Sequence, residues 1–278
     1  MKKAILITGC STGIGHCVAK ALHERGYRVF ATARRRESVN ALLAEGLESL
    51  HLDLTNTNSI QLAFEEVMRR TDGKLYALFN NGAYGLPGAV EDLSRDALRA
   101  QFETNVFGWQ ELTNLAIPVM RRQGYGRIIQ NSSVLGFVSL PFRGSYNASK
   151  YAIEGLSDTL RLELSGTFIY VSLIEPGPIA SQFRANAVKA LEKYIDVDKS
   201  FHRERYLGVL KRLNKTGPAV PFTLPPEAVL KRVIHALEAA NPKPRYYVTF
   251  PTYLFGFLKR VLSTRLLDIL LAKSGNNN

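Results

Sequence analysis

Tyr146-Asn147-Ala148-Ser149-Lys150 sets a phenol and an ammonium at i and i+4, which a helix brings onto one face. A free phenol, with a pKa of about 10, is a poor proton-transfer group near neutrality. A fixed cation beside it would stabilise the phenolate and draw that pKa toward working pH, as general acid–base catalysis needs. Such pairs occur by chance on many helices, so the weight of this one rests on its companions. Thirteen residues before Tyr146, Ser133 ends an apolar segment, where its hydroxyl could meet a carbonyl oxygen. Ser132 is its rival. Strand alternation turns only one of the two toward a given side, leaving the other to structure.

Near the N-terminus, Thr8-Gly9-Cys10-Ser11-Thr12-Gly13-Ile14-Gly15 follows an apolar run and opens a helical pattern. Glycines let a backbone approach a pyrophosphate, and a helix N-terminus offers unpaired N–H groups and a positive dipole end. Gly9, Ser11, Thr12, Gly13, Ile14 and Gly15 therefore read as cofactor-binding, against the plainer alternative of an ordinary strand–helix turn. The next strand ends Ala31-Thr32-Ala33-Arg34-Arg35-Arg36, where many NAD-binding folds carry an acid for the ribose hydroxyls. A guanidinium such as Arg34 would instead pair with a 2′-phosphate, favouring NADP(H), with NAD(H) second. The same arginines also read as a solvated charge run at a helix start. Asp53, ending the third strand, could reach an adenine amino group or simply cap a turn.

These groups need a scaffold that gathers strand ends on one edge. The chain supplies alternating strands and helices, the signature of parallel βαβ units and an α/β, doubly wound parallel sheet in a single domain. Strands are expected at Ala4–Ile7, Tyr27–Thr32, Leu47–Leu52, Leu75–Asn80, Gly126–Ser132, Phe168–Ile174 and Tyr246–Phe250. Helices are expected after the glycine loop to near Gly26, over Ser59–Arg70, about Arg95–Arg122, Tyr146–Leu164 and Pro225–Ala240. Between Ala180 and Thr216 the pattern loosens, without a buried strand. In such sheets the ligand crevice lies at the carboxyl ends of the strands.

The 278 residues suit one large domain, 46% hydrophobic and 22% charged, which excludes disorder and small disulfide-held scaffolds. Cys10 and Cys17 lack metal-ligand companions, so a reduced, cytoplasmic setting is expected and no metal site. Met1–Ile7 is too short for a secretory leader. Tyr253–Ala272 carries four charges, which argues against a membrane span.

In order and spacing, Thr8-Gly9-x-x-x-Gly13-x-Gly15, Asn105, Ser133 and Tyr146-x-x-x-Lys150 resemble a short-chain dehydrogenase/reductase over about Lys3–Val248. Thr8-Gly-Cys-Ser, Ala31-Thr-Ala-Arg and Ile174-Glu-Pro-Gly-Pro are most similar to its NADP-preferring aldehyde, retinol and hydroxysteroid reductases. The resemblance implies that Tyr146 transfers a proton, Ser133 holds the substrate oxygen, and Lys150 binds the nicotinamide ribose. It implies that Asn105 holds a water feeding protons toward Lys150. Pro176-Gly177-Pro178 would shape the nicotinamide site, with Ile179 and Ser181 near the carboxamide. Asp53 and Leu54 would lie by the adenine, and Asn81 and Gly82 against the cofactor. Here the sequence departs from the family: its usual Asn-Asn-Ala-Gly is Asn80-Asn81-Gly82-Ala83. A left-handed backbone at Ala83 would be strained, so a local adjustment is expected.

On this basis residues 1–250 form the Rossmann-like domain, with a substrate loop at about 181–224, and 251–278 form a C-terminal helical extension. The loop's Tyr194, Phe201, Tyr206 and Phe222 would suit a small apolar carbonyl or alcohol substrate, or belong to a plain surface helix. Sixteen basic and seven acidic residues follow Arg184, so this third holds +9 of the net +12. Leu254, Leu258, Val261, Leu262, Leu266 and Ile269 form an approximate stripe for core or subunit packing, with peripheral membrane contact the lesser reading. No nucleic-acid motif accompanies the charge. The resemblance implies a dimer or tetramer through the long helices. A non-catalytic nucleotide sensor would be expected to have lost the Ser/Tyr/Lys set, which is whole here. Isomerase or dehydratase relatives usually carry another glycine spacing and a larger substrate domain.

Overall fold

The computed structural model describes residues 2–217 and 220–276. Met1, two residues of the expected 181–224 loop and the end of the polar tail Ser274–Asn278 lie outside them. The chain begins β1 (Ala4–Ile7), α1 (Gly13–Glu24), β2 (Arg28–Ala33), α2 (Arg36–Ala44), β3 (Glu48–His51) and α3 (Thr57–Arg70). It continues with β4 (Ala77–Asn80), α4 (Arg95–Phe102), a π-helical turn at Glu103–Phe107, and α5 (Gly108–Gln123). Next come β5 (Gly126–Asn131), α6 (Gly144–Glu163) and β6 (Ile169–Glu175). The last third holds α7 (Phe183–Tyr194), α8 (Arg203–Leu213), α9 (Glu227–Glu238), β7 (Arg245–Tyr247), α10 (Phe250–Val261) and α11 (Thr264–Asn276).

The seven strands form one parallel sheet in the order β3-β2-β1-β4-β5-β6-β7. Side-chain alternation sends Leu6, Leu78 and Ile128 to one face, where they pack against Ile60 and Phe64 of α3, Leu112 of α5 and Ile153 of α6. Ile5, Ile7, Phe79 and Ile129 face the other way, against Val18 and Leu22 of α1, Leu42 of α2, and Val229 and Val233 of α9. Both faces are covered, so the strands are almost wholly buried, as parallel sheets require. The order reverses at β1, between β2 and β4. That reversal opens a crevice beyond the carboxyl ends of these strands.

Several elements differ from the sequence expectation. The expected helix Arg95–Arg122 is interrupted at Asn105 by the π-helical turn. Helix α2 was not expected; only Leu42 of its nine residues is buried, so it has almost no apolar stripe to read. The last strand stops at Tyr247, and Phe250 instead opens α10, where Pro251 suits the first helical turn. The loosely patterned stretch after Ala180 contains two helices, α7 and α8.

The expected C-terminal stripe is divided between α10 and α11, and Leu254, Val261, Leu266 and Ile269 are exposed rather than packed. No helix among the described residues is long and apolar enough to cross a membrane. No cluster among them could hold a metal ion.

Candidate active site

The glycine loop owes its shape to close backbone contacts. Gly9 has φ +70°, and a Cβ there would stand 2.5 Å from the Cα of Gly82. A Cβ on Gly15 would stand 2.2 Å from the Gly9 carbonyl oxygen. Only glycine allows the loop to fold onto the start of α1 and onto the segment after β4. Thr8 ties the two segments together: its Oγ1 accepts from the N–H groups of Asn81 and Gly82, both at 2.9 Å. Asn81 Nδ2 returns bonds to the carbonyls of Thr8 (3.0 Å) and Gly9 (3.2 Å).

The exchanged Gly82-Ala83 order therefore fits its place, because Gly82 is the residue that meets Gly9. Ala83 does not need a left-handed backbone. Among described non-glycine residues, only Asp72, Phe142 and Phe222 have positive φ. The backbone adjustment expected at Ala83 is not needed. Trp109, fully buried on α5, donates its indole N–H to the Gly82 carbonyl at 2.8 Å and braces this segment from behind.

Beside the loop lies a cavity of about 1140 Å³. From the glycine loop, Gly9, Ser11, Thr12, Gly13 and Ile14 reach its wall. Arg34, Asp53 and Leu54 stand at the ends of β2 and β3, and Asn81 and Gly82 at the end of β4. Ser133, Tyr146 and Lys150 follow, with Pro176, Gly177, Ile179 and Ser181 after β6. Two expected site residues are elsewhere. Gly15 lies under the loop against the Gly9 carbonyl and does not reach the cavity. Asn105 is buried behind the wall, its amide exchanging bonds with the Tyr84 backbone (3.2 and 2.9 Å) and donating to Ser149 Oγ at 3.1 Å. Any proton path past Asn105 must use its backbone, since its side chain is occupied.

Lys150 is 1% exposed, and its Nζ donates to the Asn131 carbonyl at 2.7 Å. Asn131 in turn donates from Nδ2 to Asn81 Oδ1 at 2.9 Å, linking catalytic helix and glycine loop. The ammonium lies 4.3 Å from the Trp109 ring centre and 5.7 Å from that of Tyr146. Burial pushes the Lys150 pKa down to about 7, with the Glu154 carboxylate pulling it back. Burial pushes the Tyr146 phenol up to about 12, and a hydrogen bond with Ser133 works against that rise. Desolvation is the larger of these two influences, so burial favours the protonated phenol at neutral pH.

The strand expected to reach Ser132 ends at Asn131, and the two serines that follow it take different partners. Ser133 lines the cavity with Tyr146, accepts from the Leu135 N–H at 3.1 Å and donates weakly to the Pro176 carbonyl at 3.5 Å. Ser132 donates to Glu154 Oε1 beneath the site. There Glu154 lies beside fully buried Glu175, and burial, then the Glu154 charge, pushes the Glu175 carboxyl well above the usual carboxylate range. Arg245 of β7 completes the cluster, reaching Glu154 (3.0 Å), Asp158 (2.7 Å) and Glu175 (3.1 Å). Ser133→Ala should therefore lower kcat by about two orders of magnitude while leaving stability nearly unchanged. Ser132→Ala should instead cost about 1–3 kcal/mol in stability by depriving a buried carboxylate of a donor. Turnover and thermal unfolding of both variants check this division, and equal kinetic losses would refute it.

The expected aromatic cover is only partly present. Phe183 meets the Tyr146 ring edge-on at 5.4 Å, and Tyr194 also lines the cavity. Tyr206 is buried away from it, donating to Asp92 and accepting from Ala89 N–H, both at 2.8 Å. Phe201 is exposed, and Phe222 packs on Phe250, outside the wall. Sequence reasoning missed Asn131 and Trp109, although each lies near a recognised residue: Asn131 precedes the serine pair and Trp109 stands four after Asn105. It also missed Arg143, three residues before Tyr146, and Arg212, whose side of α8 only the fold reveals.

Comparison with known proteins agrees with this geometry. Residues 3–192 match the family model described as short chain dehydrogenase. The chain is 40% identical over 271 residues to the uncharacterized oxidoreductase YbbO of Escherichia coli K12, covering 98% of this chain and 94% of that protein. It is 34% identical over 263 residues to 17-beta-hydroxysteroid dehydrogenase type 1 of Homo sapiens, covering 89% and 78%. A short-chain dehydrogenase structure from Streptomyces avermitilis superposes with a TM-score of 0.79 at 28% identity, covering 94% and 93%. A doubly wound sheet, a glycine loop folded onto it and relatives that are oxidoreductases along almost the whole chain leave one assignment: the protein belongs to the short-chain dehydrogenase/reductase family and is an NAD(P)-dependent oxidoreductase.

Proposed function

We propose that the protein is an NADP(H)-dependent reductase that interconverts an apolar aldehyde or ketone with its alcohol. The supporting observation is the continuous cavity that runs from Arg34 past the glycine loop to Ser133 and Tyr146. The residues present fit a dinucleotide. Gly9 and Gly13, at φ +70° and +60°, bring the loop backbone to the cavity wall, Gly15 lets that loop fold onto α1, and α1 begins without a side-chain cap on its first N–H groups. When bound, the nicotinamide supplies or accepts hydride. The loop backbone would hold its pyrophosphate, with Asp53 and Leu54 beside the adenine. Lys150 would hold the ribose, and Pro176, Gly177, Ile179 and Ser181 the nicotinamide edge. Ser133 orients the substrate oxygen, and Tyr146 gives that oxygen a proton in reduction or removes one in oxidation. Phe183 and Tyr194 exclude water from the reacting carbon.

Arg34 supports the NADP(H) preference, because it alone of Arg34–Arg36 reaches the cavity wall. Arg35 instead caps α2 and Arg36 begins it. Exposed Phe107, Tyr151, Leu156 and Leu162 around α5 and α6 support a homo-oligomer through these helices. Free Cys10 and Cys17 fit a reducing cytoplasm.

A cofactor-consumption screen over alkanals, retinal and ketosteroids tests the reading. NADPH should exceed NADH in kcat/KM, and Arg34→Ala should reduce that preference by about tenfold or more, the loss of one charge-assisted phosphate contact. A preference for NADH, or one unchanged in Arg34→Ala, would remove Arg34 from this role.

A further inference from the structure

None of the four arginines on the cavity wall has an acidic partner among the described residues; Arg34 is assigned to the cofactor and Arg184 is held by backbone carbonyls, which leaves Arg143 and Arg212. Arg143 caps α6, three residues before Tyr146, and donates from Nη1 to the Pro141 carbonyl at 3.3 Å. Arg212, near the end of α8, keeps a buried Nε with no hydrogen-bond partner among the described residues. Neither belongs to an ion pair there, and the carboxylates on the same wall, Asp53 and Glu103, reach neither of them. The contrast with Arg245, held by three carboxylates, is sharp.

The two cations also oppose one another. Burial and the neighbouring charge of Arg212 push Arg143 down to about 9; burial and the charge of Arg184 lower Arg212. Arg184 does not relieve them, since it donates to the carbonyls of Lys215 and Gly217. Lys189 and Lys193, one turn apart on α7, add two exposed cations to the same wall. The cofactor's phosphates have their own seat at Gly9–Gly13 and Arg34. Arg143 forms an isolated backbone bridge with Gly88. Two partly buried like charges on one wall without a counter-ion repel each other, and an anion bound by both would relieve that repulsion and meet the unpartnered Nε.

We infer that Arg143 and Arg212 seat a carboxylate carried at the far end of the substrate, so that the preferred substrates are oxo-acids with an apolar chain. The same wall offers Tyr84, Phe183, Tyr194 and Leu213 to such a chain. Guanidiniums suit the task because they present forked donors to a carboxylate. This substrate class rests on the reductase reading given above and narrows it.

Calorimetry on protein saturated with NADP⁺, which occupies the phosphate seats, tests the inference without requiring turnover. Hexanoate, octanoate and decanoate are compared with the alcohols of equal length. The best alkanoate should bind about tenfold or more tightly than its alcohol, and added salt should erode the advantage. Arg143→Gln and Arg212→Gln should each bring the ratio close to parity. Arg212→Lys, which keeps the charge, should restore part of it. Equal binding of acid and alcohol in the parent protein, or an acid preference untouched by both glutamine variants, would overturn the seat. NADPH oxidation with the matching ω-oxo acids and alkanals separates this from the parent reading. Reduction of both at equal kcat/KM sinks the seat alone. Reduction of neither, with alkanoates still held by the arginines, sinks the reductase assignment and leaves the seat standing.

Discussion

Tyr146→Phe is expected to lower kcat by about three orders of magnitude while leaving NADPH affinity within about twofold, because a positioned proton donor contributes roughly a hundred- to ten-thousandfold. The substitution deletes one hydroxyl. The ring remains to meet Phe183 edge-on, and the Lys150–Asn131–Asn81 chain of bonds does not pass through the phenol. Cofactor binding and packing are thus preserved while proton transfer is lost. The pH dependence carries a second, signed expectation. With its phenol pushed up to about 12 by burial, Tyr146 is protonated throughout the ordinary working range. Carbonyl reduction needs that proton and should not lose rate as pH rises from neutrality. Alcohol oxidation needs the phenolate, so its rate should climb by about tenfold per pH unit. Parallel pH–rate profiles in the two directions read this directly. Retained activity in Tyr146→Phe would end the assignment of the proton to this residue.

Gly15→Ala should be the most damaging single-methyl change in the cofactor half of the site. By helix propensity alone the change would stabilise α1 by about 1 kcal/mol. The added Cβ, however, would lie 2.2 Å from the Gly9 carbonyl oxygen and 2.6 Å from Asn81 Nδ2. The first obstacle is backbone and cannot swing aside. The loop must move off the helix, and the Asn81 bonds to Thr8 and Gly9 go with it. We expect a stability loss of about 2 kcal/mol, typical of overpacking, and NADPH binding weakened by about a hundredfold or more. Gly155→Ala is the matched control: it lies exposed in α6, where an added Cβ would meet nothing within 4 Å, and should gain about 0.5–1 kcal/mol. Fluorescence titration with NADPH and thermal unfolding decide the matter. Parent-like affinity in Gly15→Ala would show that the loop tolerates displacement.

Gly15 also illustrates what sequence can convey. Its spacing from Gly9 and Gly13 announces a phosphate loop, but not that Gly15 serves by receding beneath it. Local signals are legible because the physics behind them is local. The fully buried run Ala4–Ile7 is a parallel strand, and the i, i+4 placement of Tyr146 and Lys150 follows from helical pitch. The serine pair is visible in the chain, but it follows the end of β5, and only the fold turns Ser133 to the cavity and Ser132 to Glu154. Other features depend on residues distant in the chain. Nothing around Arg143 identifies Arg212 as its neighbour, since they are brought together by α8 folding over the cavity. The effect of burial on Tyr146 cannot be weighed against Lys150 until the surroundings of each are known. The π-helical turn at Asn105 has no glycine or proline within it to mark it, and α2 has too few buried residues to show a period.

The carboxylate cluster beneath Ser132 has a consequence for biogenesis. Glu154 and Glu175 belong to elements made well before Arg245, the cation that holds them. While the chain emerges from a ribosome, the helix bearing Tyr146 and Lys150 rests on an acidic pair without its counter-ion. Only when β7 docks at the sheet edge does that helix acquire its final electrostatic support. A chain ending before β7, the last strand of the sheet, would carry every recognised motif but not the Arg245 guanidinium that pairs with Glu154, Asp158 and Glu175.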